Sequence, residues 1–203
     1  YDSNTDPWTS AYPEQTVMAY RSPESGDWPD FFTTSDLNAL IEIWGAEAQF
    51  LSMETDEFWG QGYRESIYSA RGDDLINAAA GNDLVRAGKG NDFVNGNQGN
   101  DEIWGDLGDD SLRGGKDNDW LFGGIGNDAL WGDRGADRFR ISKGDDTIWD
   151  FSFADGDRLE LKAELGYELT QSGADLLFST SLGSARLINN NLSDFSVDAV
   201  VLV

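Results

Sequence analysis

The sequence predicts a mainly β protein. The expected fold is a parallel β-roll wound as a right-handed solenoid, with a short helical segment before it and a β-rich cap after it. Three observations carry this prediction: an aspartate recurs every nine residues, an apolar residue follows it two positions later, and a glycine usually precedes it by two positions. A fixed period of this kind is typical of solenoids, in which each repeat packs only against its neighbours.

The repeat occupies residues 69–149 as nine uninterrupted rows of nine. We number the positions of a row 1 to 9, with the aspartate at position 6. Position 6 holds Asp74, Asp83, Asp92, Asp101, Asp110, Asp119, Asp128, Asp137 and Asp146. Position 8 holds Ile76, Val85, Val94, Ile103, Leu112, Leu121, Leu130, Phe139 and Ile148. Position 4 is glycine in every row except the sixth, where Asp117 replaces it.

Each of these columns has a physical reason. Glycine permits turns with positive φ, in which backbone carbonyls converge on one point. The aspartate adds an anionic oxygen, and the apolar residue is the centre of a three-residue strand whose side chain points inward. Two rows then form one coil, and rows n and n+2 stack on the same side.

The composition indicates what stabilises such a coil. Hydrophobic residues make up only 39% of the 203 residues, while 38 acidic side chains face 14 basic ones, for a net charge of -24. A chain of this charge repels nucleic acid, and eight Trp argue against a disordered acidic tail. Carboxylates beside converging carbonyls favour a hard, oxygen-seeking cation, and calcium is the natural candidate.

We therefore predict calcium between stacked turns, with about six to eight oxygens for each ion and up to about seven ions in the roll. The predicted carboxylate ligands are the nine aspartates of position 6. The first two rows open with Ser69-Ala70 and Ala78-Ala79 instead of glycine, so their sites are expected to be weak or empty. The predicted carbonyl ligands lie near Gly72, Gly81, Gly90, Gly96, Gly99, Gly105, Gly108, Gly114, Gly123, Gly126, Gly132, Gly135 and Gly144.

The rows 114–122 and 123–131 read Gly-Gly-Lys-Asp-Asn-Asp-Trp-Leu-Phe and Gly-Gly-Ile-Gly-Asn-Asp-Ala-Leu-Trp. They resemble the RTX nonapeptide family, whose pattern is G-G-x-G-x-D-x-U-x. The resemblance implies a calcium-filled β-roll in a secreted, extracellular protein that leaves the cell through the type I secretion apparatus.

Two residue types are absent, and their absence narrows the function. The chain has no Cys and no His, which excludes disulfides, imidazole zinc sites and a Ser-His-Asp relay within it. No apolar run approaches the length needed to span a membrane. The sequence opens at Tyr1 without an initiator Met or a signal peptide, so we expect it to be a piece of a longer protein.

Residues 150–203 are predicted to cap the open end of the roll. Strand-like alternation at 167–171, 175–180 and 184–188 favours a small β-sandwich-like closure. In RTX exoproteins a similar cap precedes an uncleaved export signal, which the apolar ending 198–203 resembles. The alternative is that this ending forms a buried last strand, and the two readings are compatible.

Residues 1–68 are predicted to be a separate segment that carries 13 acidic and two basic side chains. Thr34 or Ser35 can cap a helix whose apolar residues recur at helical spacing, and Gly45 can end it. That helix, with Met18 and Tyr20 upstream, resembles the Met-turn and closing helix of serralysin-like zinc metallopeptidases of the metzincin group. The alternative is a plain helical cap on the roll.

The peptidase resemblance implies that Met18 underlies the zinc site and that Tyr20 approaches the metal. The zinc-binding HExxHxxGxxH helix would lie before Tyr1, and without His these 203 residues cannot build that site alone. The expected function is a module that folds on calcium and supports secretion and stability, attached to the catalytic domain of a zinc metalloendopeptidase. The chain is then either an excised C-terminal fragment of such a peptidase or a protein that kept this part and lost the catalytic half. Two other functions stay open: a module of a polysaccharide-active enzyme, and an adhesive or surface-layer protein.

The outward-facing aromatic residues suggest a contact surface. Stacking of rows n and n+2 predicts Trp104 above Phe122 with Trp120 on the same side, and a Trp131–Trp149 pair on the opposite side.

Overall fold

A computed structural model describes residues 48–162 and 165–203. The predicted helix and the residues Met18 and Tyr20 lie outside this part of the chain. Within it, no helix is long and apolar enough to cross a lipid bilayer.

The described residues form two β-sheets built from alternating strands of the chain. The first sheet holds, in spatial order, β1 (Ala48–Phe50), β3 (Ser66–Tyr68), β5 (Leu84–Lys89), β7 (Glu102–Leu107), β9 (Trp120–Ile125), β11 (Arg138–Arg140), β13 (Arg158–Leu161) and β17 (Val200–Leu202). The second holds β14 (Tyr167–Ser172), β15 (Asp175–Thr180), β16 (Ser184–Leu187), β12 (Asp145–Ile148), β10 (Ala129–Arg134), β8 (Ser111–Lys116), β6 (Phe93–Gln98), β4 (Leu75–Asn77) and β2 (Glu57–Trp59).

Strands β1 to β10 each pair in parallel with the strand two rows further on. Ile103 lies opposite Leu121 in the first sheet, and Leu112 lies opposite Leu130 in the second. These partners are two nine-residue rows apart, which confirms the predicted parallel β-roll in which rows n and n+2 stack.

The predicted strand length of three residues is wrong for the middle of the roll. Strands β5 to β10 are six residues long because positions 2 and 3 of the turn also join the ladder. Gly88 pairs with Asp106, and Lys89 pairs with Leu107. The turns are therefore held by backbone pairing over more of their length than the apolar column alone suggests.

Within residues 69–149 the hydrophobic core is mainly a narrow file of position-8 side chains between the two sheets, to which Ala78, Ala87 and Ile141 are added. All nine of them are fully or almost fully buried. Each row adds only one such side chain, so apolar burial for each residue of the roll is small. At roughly 25 cal/mol for each Å² buried, a core this thin leaves a large share of the stability to other interactions.

The stacking begins upstream of the predicted roll. Strands β1, β2 and β3 continue both sheets back to Ala48, with Asp56 and Glu65 at position 6. The sequence pattern hides these rows because position 4 holds Glu54 and Tyr63 where later rows have glycine. The ladder thus crosses the predicted division between residues 68 and 69.

The C-terminal cap continues both sheets and is not a separate sandwich. Strands β13 and β17 extend the first sheet in parallel, while β16, β15 and β14 extend the second, the last two by antiparallel pairing. The three predicted strand runs correspond to β14, β15 and β16. Two 3₁₀ helices, Leu192–Asp194 and Val197–Ala199, lead into β17.

The outward-facing aromatic residues pair as predicted. On the first sheet the ring centroids of Trp104 and Phe122 are 4.6 Å apart, and Trp120 lies 5.4 Å from Trp104. On the second sheet Trp131 and Trp149 are stacked at 5.8 Å.

Because the core is thin, each position-8 side chain should contribute strongly to the free energy of unfolding. We expect Leu121→Ala, at a fully buried site, to lower the free energy of unfolding by about 2–5 kcal/mol, because a cavity would open in the file. Leu107→Ala, at a site that is 40% exposed, is the matched control and should change it by no more than about 0.5 kcal/mol. Urea unfolding in calcium measures both, and equal losses would contradict a one-file core.

Candidate metal centre

The nine predicted aspartates form two buried columns, one along each edge where the chain turns between the sheets. All nine are 1–3% exposed. One edge carries Asp74, Asp92, Asp110, Asp128 and Asp146, and the other carries Asp83, Asp101, Asp119 and Asp137. Asp56 precedes the first column and Glu65 the second, and Asp157 follows the second.

A backbone amide holds one oxygen of each carboxylate. The N–H of Asp101 donates to Oδ1 of Asp119 at 2.8 Å, and the N–H of Asp119 donates to Oδ1 of Asp137 at 2.8 Å. The same bond links every position-6 residue from Asp56 to Asp137 to the acid two rows later. The fold itself therefore orients each carboxylate through this bond.

The second oxygen of six aspartates has no hydrogen-bond partner although it is buried. These are the Oδ2 atoms of Asp83, Asp92, Asp101, Asp110, Asp119 and Asp128. A buried, unpaired carboxylate oxygen is costly in a protein interior. The central rows thus contain a regular series of acceptors that the protein alone leaves unsatisfied.

Glycine at position 1 leaves the space beside four of these six oxygens open, whereas Ala78 and Ala87 occupy that position in the rows of Asp83 and Asp92. A Cβ on Gly114 would overlap Oδ2 of Asp119, and a Cβ on Gly105 would meet both Oδ2 of Asp110 and the carbonyl oxygen of Gly123. Carboxylate and carbonyl oxygens therefore approach one point where the chain has no side chain. Such an all-oxygen set fits a hard divalent cation of the calcium type.

Side chains alone do not complete these sites. In residues 48–162 and 165–203, no three His, Cys, Asp or Glu side chains come together in a way that could hold a metal. Backbone carbonyls would have to supply most of the oxygen ligands around an ion, and carbonyl oxygens are common ligands of calcium. This agrees with the glycine-rich turns predicted from the sequence.

Burial makes the position-6 carboxylates from Asp83 to Asp146 weaker acids. Desolvation raises the pKa of Asp83 to about 6, that of Asp101 to about 7 and that of Asp119 to about 8. The negative charges of neighbouring carboxylates raise the pKa further, while the backbone amide bond lowers it. A nearby cation would oppose both unfavourable contributions.

The rows near the ends satisfy their carboxylates with protein donors instead. The hydroxyl of Ser69 donates to Oδ2 of Asp74, and the hydroxyl of Ser142 donates to Oδ2 of Asp146 at 3.2 Å. The N–H of Ser152 donates to Oδ2 of Asp157 at 2.8 Å. At the upstream end, Asp56 and Glu65 accept from N–H groups of their own turns.

The two rows that lack opening glycines consequently differ. Ser69 supplies a donor to Asp74, whereas Ala78 supplies none, and Oδ2 of Asp83 stays unpaired. The expectation that both rows hold weak or empty sites remains a prediction, and the geometry singles out the row of Asp74 for it.

A second ladder, at position 5, was not predicted from the sequence. There the side-chain oxygen of one row accepts from the backbone N–H of position 5 two rows later, as in Asn118 N–H to Asn100 Oδ1 at 3.0 Å. The acceptors are Asp73, Asn82, Asn91, Asn100, Asp109, Asn118 and Asn127. The signal was visible, since eight of the nine rows have Asp or Asn at this position.

Comparison with protein families identifies the repeat. The model for the RTX calcium-binding nonapeptide repeat matches in four copies, at residues 59–94, 68–103, 80–112 and 104–139. The roll is built of RTX calcium-binding repeats. The first match begins at Trp59, within the rows that the structure adds upstream of residue 69.

Several solved structures resemble the chain loosely. The extracellular lipase LipA from Serratia marcescens is 17% identical over 78% of this chain, with a TM-score of 0.42. Two subunits of the Azotobacter vinelandii mannuronan C5-epimerase, AlgE6R3 and AlgE6R2, are 20% and 22% identical over 78% and 70% of it, with TM-scores of 0.34 and 0.32. The chain spans 40% of the lipase and 85% and 92% of the two subunits. A comparison with curated proteins finds no match.

The raised pKa values predict that protonation of these carboxylates at low pH partly substitutes for calcium in stabilising the fold. Between the pKa of an unfolded Asp, about 3.9, and folded values of about 6–8, the folded RTX roll binds more protons than the unfolded chain. Its free energy of unfolding should therefore fall as the pH rises through this window. In calcium-free buffer we expect more β-structure by circular dichroism at pH 5 than at pH 8, with the reverse change contradicting the burial of these acids.

The unpaired oxygens predict which aspartates matter for calcium. Asp119→Asn should raise the midpoint of a calcium titration by at least about tenfold, because a carboxamide binds calcium less well than a carboxylate. Asp74→Asn, in the row completed by Ser69, is the matched control and should shift it far less. Calorimetric titration of both variants gives the comparison, and equal shifts would show that the Oδ2 partners do not distinguish the rows.

Proposed function

We propose that this chain is an extracellular RTX module that folds when calcium binds and thereby supports the secretion and stability of a longer protein. The observation that carries the proposal is the series of six buried carboxylate oxygens without a partner. A fold that leaves such groups unsatisfied at regular intervals needs a ligand to offset their burial.

The position-6 aspartates would hold the ions together with carbonyls of the glycine turns, Gly105, Gly114 and Gly123 among them. Calcium, when bound, would supply positive charge between the carboxylates of stacked rows. The chain's own part is to orient each carboxylate through its Oδ1 hydrogen bond and to leave Oδ2 free. We propose that the central rows fill first, within the predicted maximum of about seven ions.

Secretion follows from the same coupling of binding to folding. Where calcium is scarce, a chain with a net charge of -24 repels itself and stays unfolded, which suits passage through the type I secretion apparatus. Outside the cell, the free energy of calcium binding becomes free energy of folding. Residues 150–203 would cap the roll, and the ending 198–203, which includes β17, would carry the export signal.

For the parent protein we propose a secreted zinc metalloendopeptidase of the serralysin type, in which the part of residues 1–68 before Ala48 belongs to the end of the catalytic domain and the roll, from Ala48 through residues 69–149, follows it. The support is the placement of Met18, Tyr20 and the following helix pattern in the sequence. Without His, zinc chemistry would belong to the longer chain only. A polysaccharide-active enzyme or an adhesive surface-layer protein is the alternative, and the sequence upstream of Tyr1 distinguishes the three.

Circular dichroism of the chain tests calcium-coupled folding directly. In a chelator at neutral pH we expect a largely unfolded spectrum, and in millimolar calcium the spectrum of a β-protein. Magnesium at the same concentration is the control, and it should fold the chain poorly because it favours smaller, water-rich octahedral sites. A β spectrum that chelator leaves unchanged would refute the proposal.

A further inference from the structure

A groove runs beside the second aspartate column, on the outside of the first sheet. Its volume is about 410 Å³, within the range of roughly 300–1,000 Å³ that is common for small-molecule sites. Its lining includes Asn100 and Asn118 on one side, Trp120 and Arg138 from the strands, and the carboxylates of Glu102 and Glu160. None of these six side chains belongs to position 6, where the proposed calcium ligands lie.

The groove exists because the position-5 ladder loses its side chains. Asn100 and Asn118 continue the ladder, but the row that stacks next on the same side has Ala136, which offers no side-chain acceptor. Gly156 stacks after it, and a Cβ placed on Gly156 would be 3.2 Å from the Cβ of Ala136. Two rows stacked on this edge therefore lack the side-chain amide that Asn100 and Asn118 carry.

The lining combines an aromatic ring with both donors and acceptors. The buried Nε1 of Trp120 has no acceptor among the described residues. Glu102 accepts a hydrogen bond from the indole N–H of Trp104 at 2.8 Å, and Oε1 of Glu160 lies 3.4 Å from Nη1 of Arg138. The amide nitrogens of Asn100 and Asn118 add donors. A polyol can use an indole face, carboxylate acceptors and amide donors at the same time.

The charge of the groove excludes acidic ligands. Glu102 and Glu160 outnumber Arg138, and neither glutamate is among the proposed calcium ligands. In a chain with a net charge of -24, phosphates and uronates would be repelled. Neutral hydroxyl groups would instead donate to the carboxylates and accept from the amides and the guanidinium.

We propose that this groove binds a sugar unit of a neutral polysaccharide, with the indole of Trp120 against one face of the sugar ring. The proposal goes beyond calcium-dependent folding, because Trp120, Arg138, Glu102 and Glu160 of the groove are not among the proposed calcium ligands. The calcium-loaded roll serves only as the rigid frame that holds the two sides of the groove.

Closing the groove is the sharpest test. Ala136→Asn restores the missing ladder side chain, so folding and calcium titration should be retained while the opening is filled. Calorimetry in millimolar calcium, with the hexasaccharides of cellulose, starch, xylan and chitin as probes, should show binding of at least one by the natural chain. We expect Ala136→Asn and Trp120→Leu each to weaken that binding by at least about tenfold. Trp131→Leu, on the second sheet, is the matched control and should leave it unchanged.

Three results would overturn the proposal. The first is that none of the four hexasaccharides produces heat at millimolar concentration with the folded, calcium-loaded chain. The second is that a bound sugar is held equally well by Ala136→Asn. The third is that a hexauronate binds more tightly than every neutral sugar. Circular dichroism of each sample separates these results from a failure of calcium-coupled folding, which would appear before any sugar is added.

Discussion

The structure depends on the burial of carboxylates along the two edges of the roll. A row can stack only if its position-6 aspartate enters the interior, since the N–H of the residue two rows earlier donates to it. That bond satisfies one oxygen and leaves the other to be neutralised by a proton, a protein donor or a cation. The raised pKa of Asp119, about 8, shows how unfavourable an unpaired charge is there.

The rows differ in how they meet this constraint, and the differences follow their place in the roll. Ser69 and Ser142 supply hydroxyl donors near the two ends, whereas six aspartates between Asp83 and Asp128 have none. The end rows are thus complete as protein, and the central rows are complete only with a ligand. This division concentrates any dependence on calcium in the middle of the roll, where glycine keeps the space open.

The narrow core and the position-5 ladder explain how such a chain keeps its register. One apolar side chain per row cannot fix the stacking alone. The side-chain oxygens of Asn91, Asn100 and Asn118 also accept hydrogen bonds from backbone N–H groups at the outer edge of the turns. Where Ala136 interrupts this ladder, the edge opens into the groove beside Trp120. A change at one column therefore alters the surface without disturbing the file of buried residues.

The nine-residue period by itself determined the parallel roll, the pairing of rows n and n+2, the buried column and the aromatic pairs, because a strict period translates directly into stacking. Only the tertiary structure decided which carboxylate oxygens lack hydrogen-bond partners. The hydroxyl of Ser69, for example, donates to Asp74 across a turn whose geometry cannot be read from the nine-residue pattern. The tertiary structure also brought in Asp56, Glu65 and Asp157. Asp157 sits two residues out of phase, and its place in the column is set by the strand pairing of β11 with β13, a long-range contact that the periodic pattern does not encode.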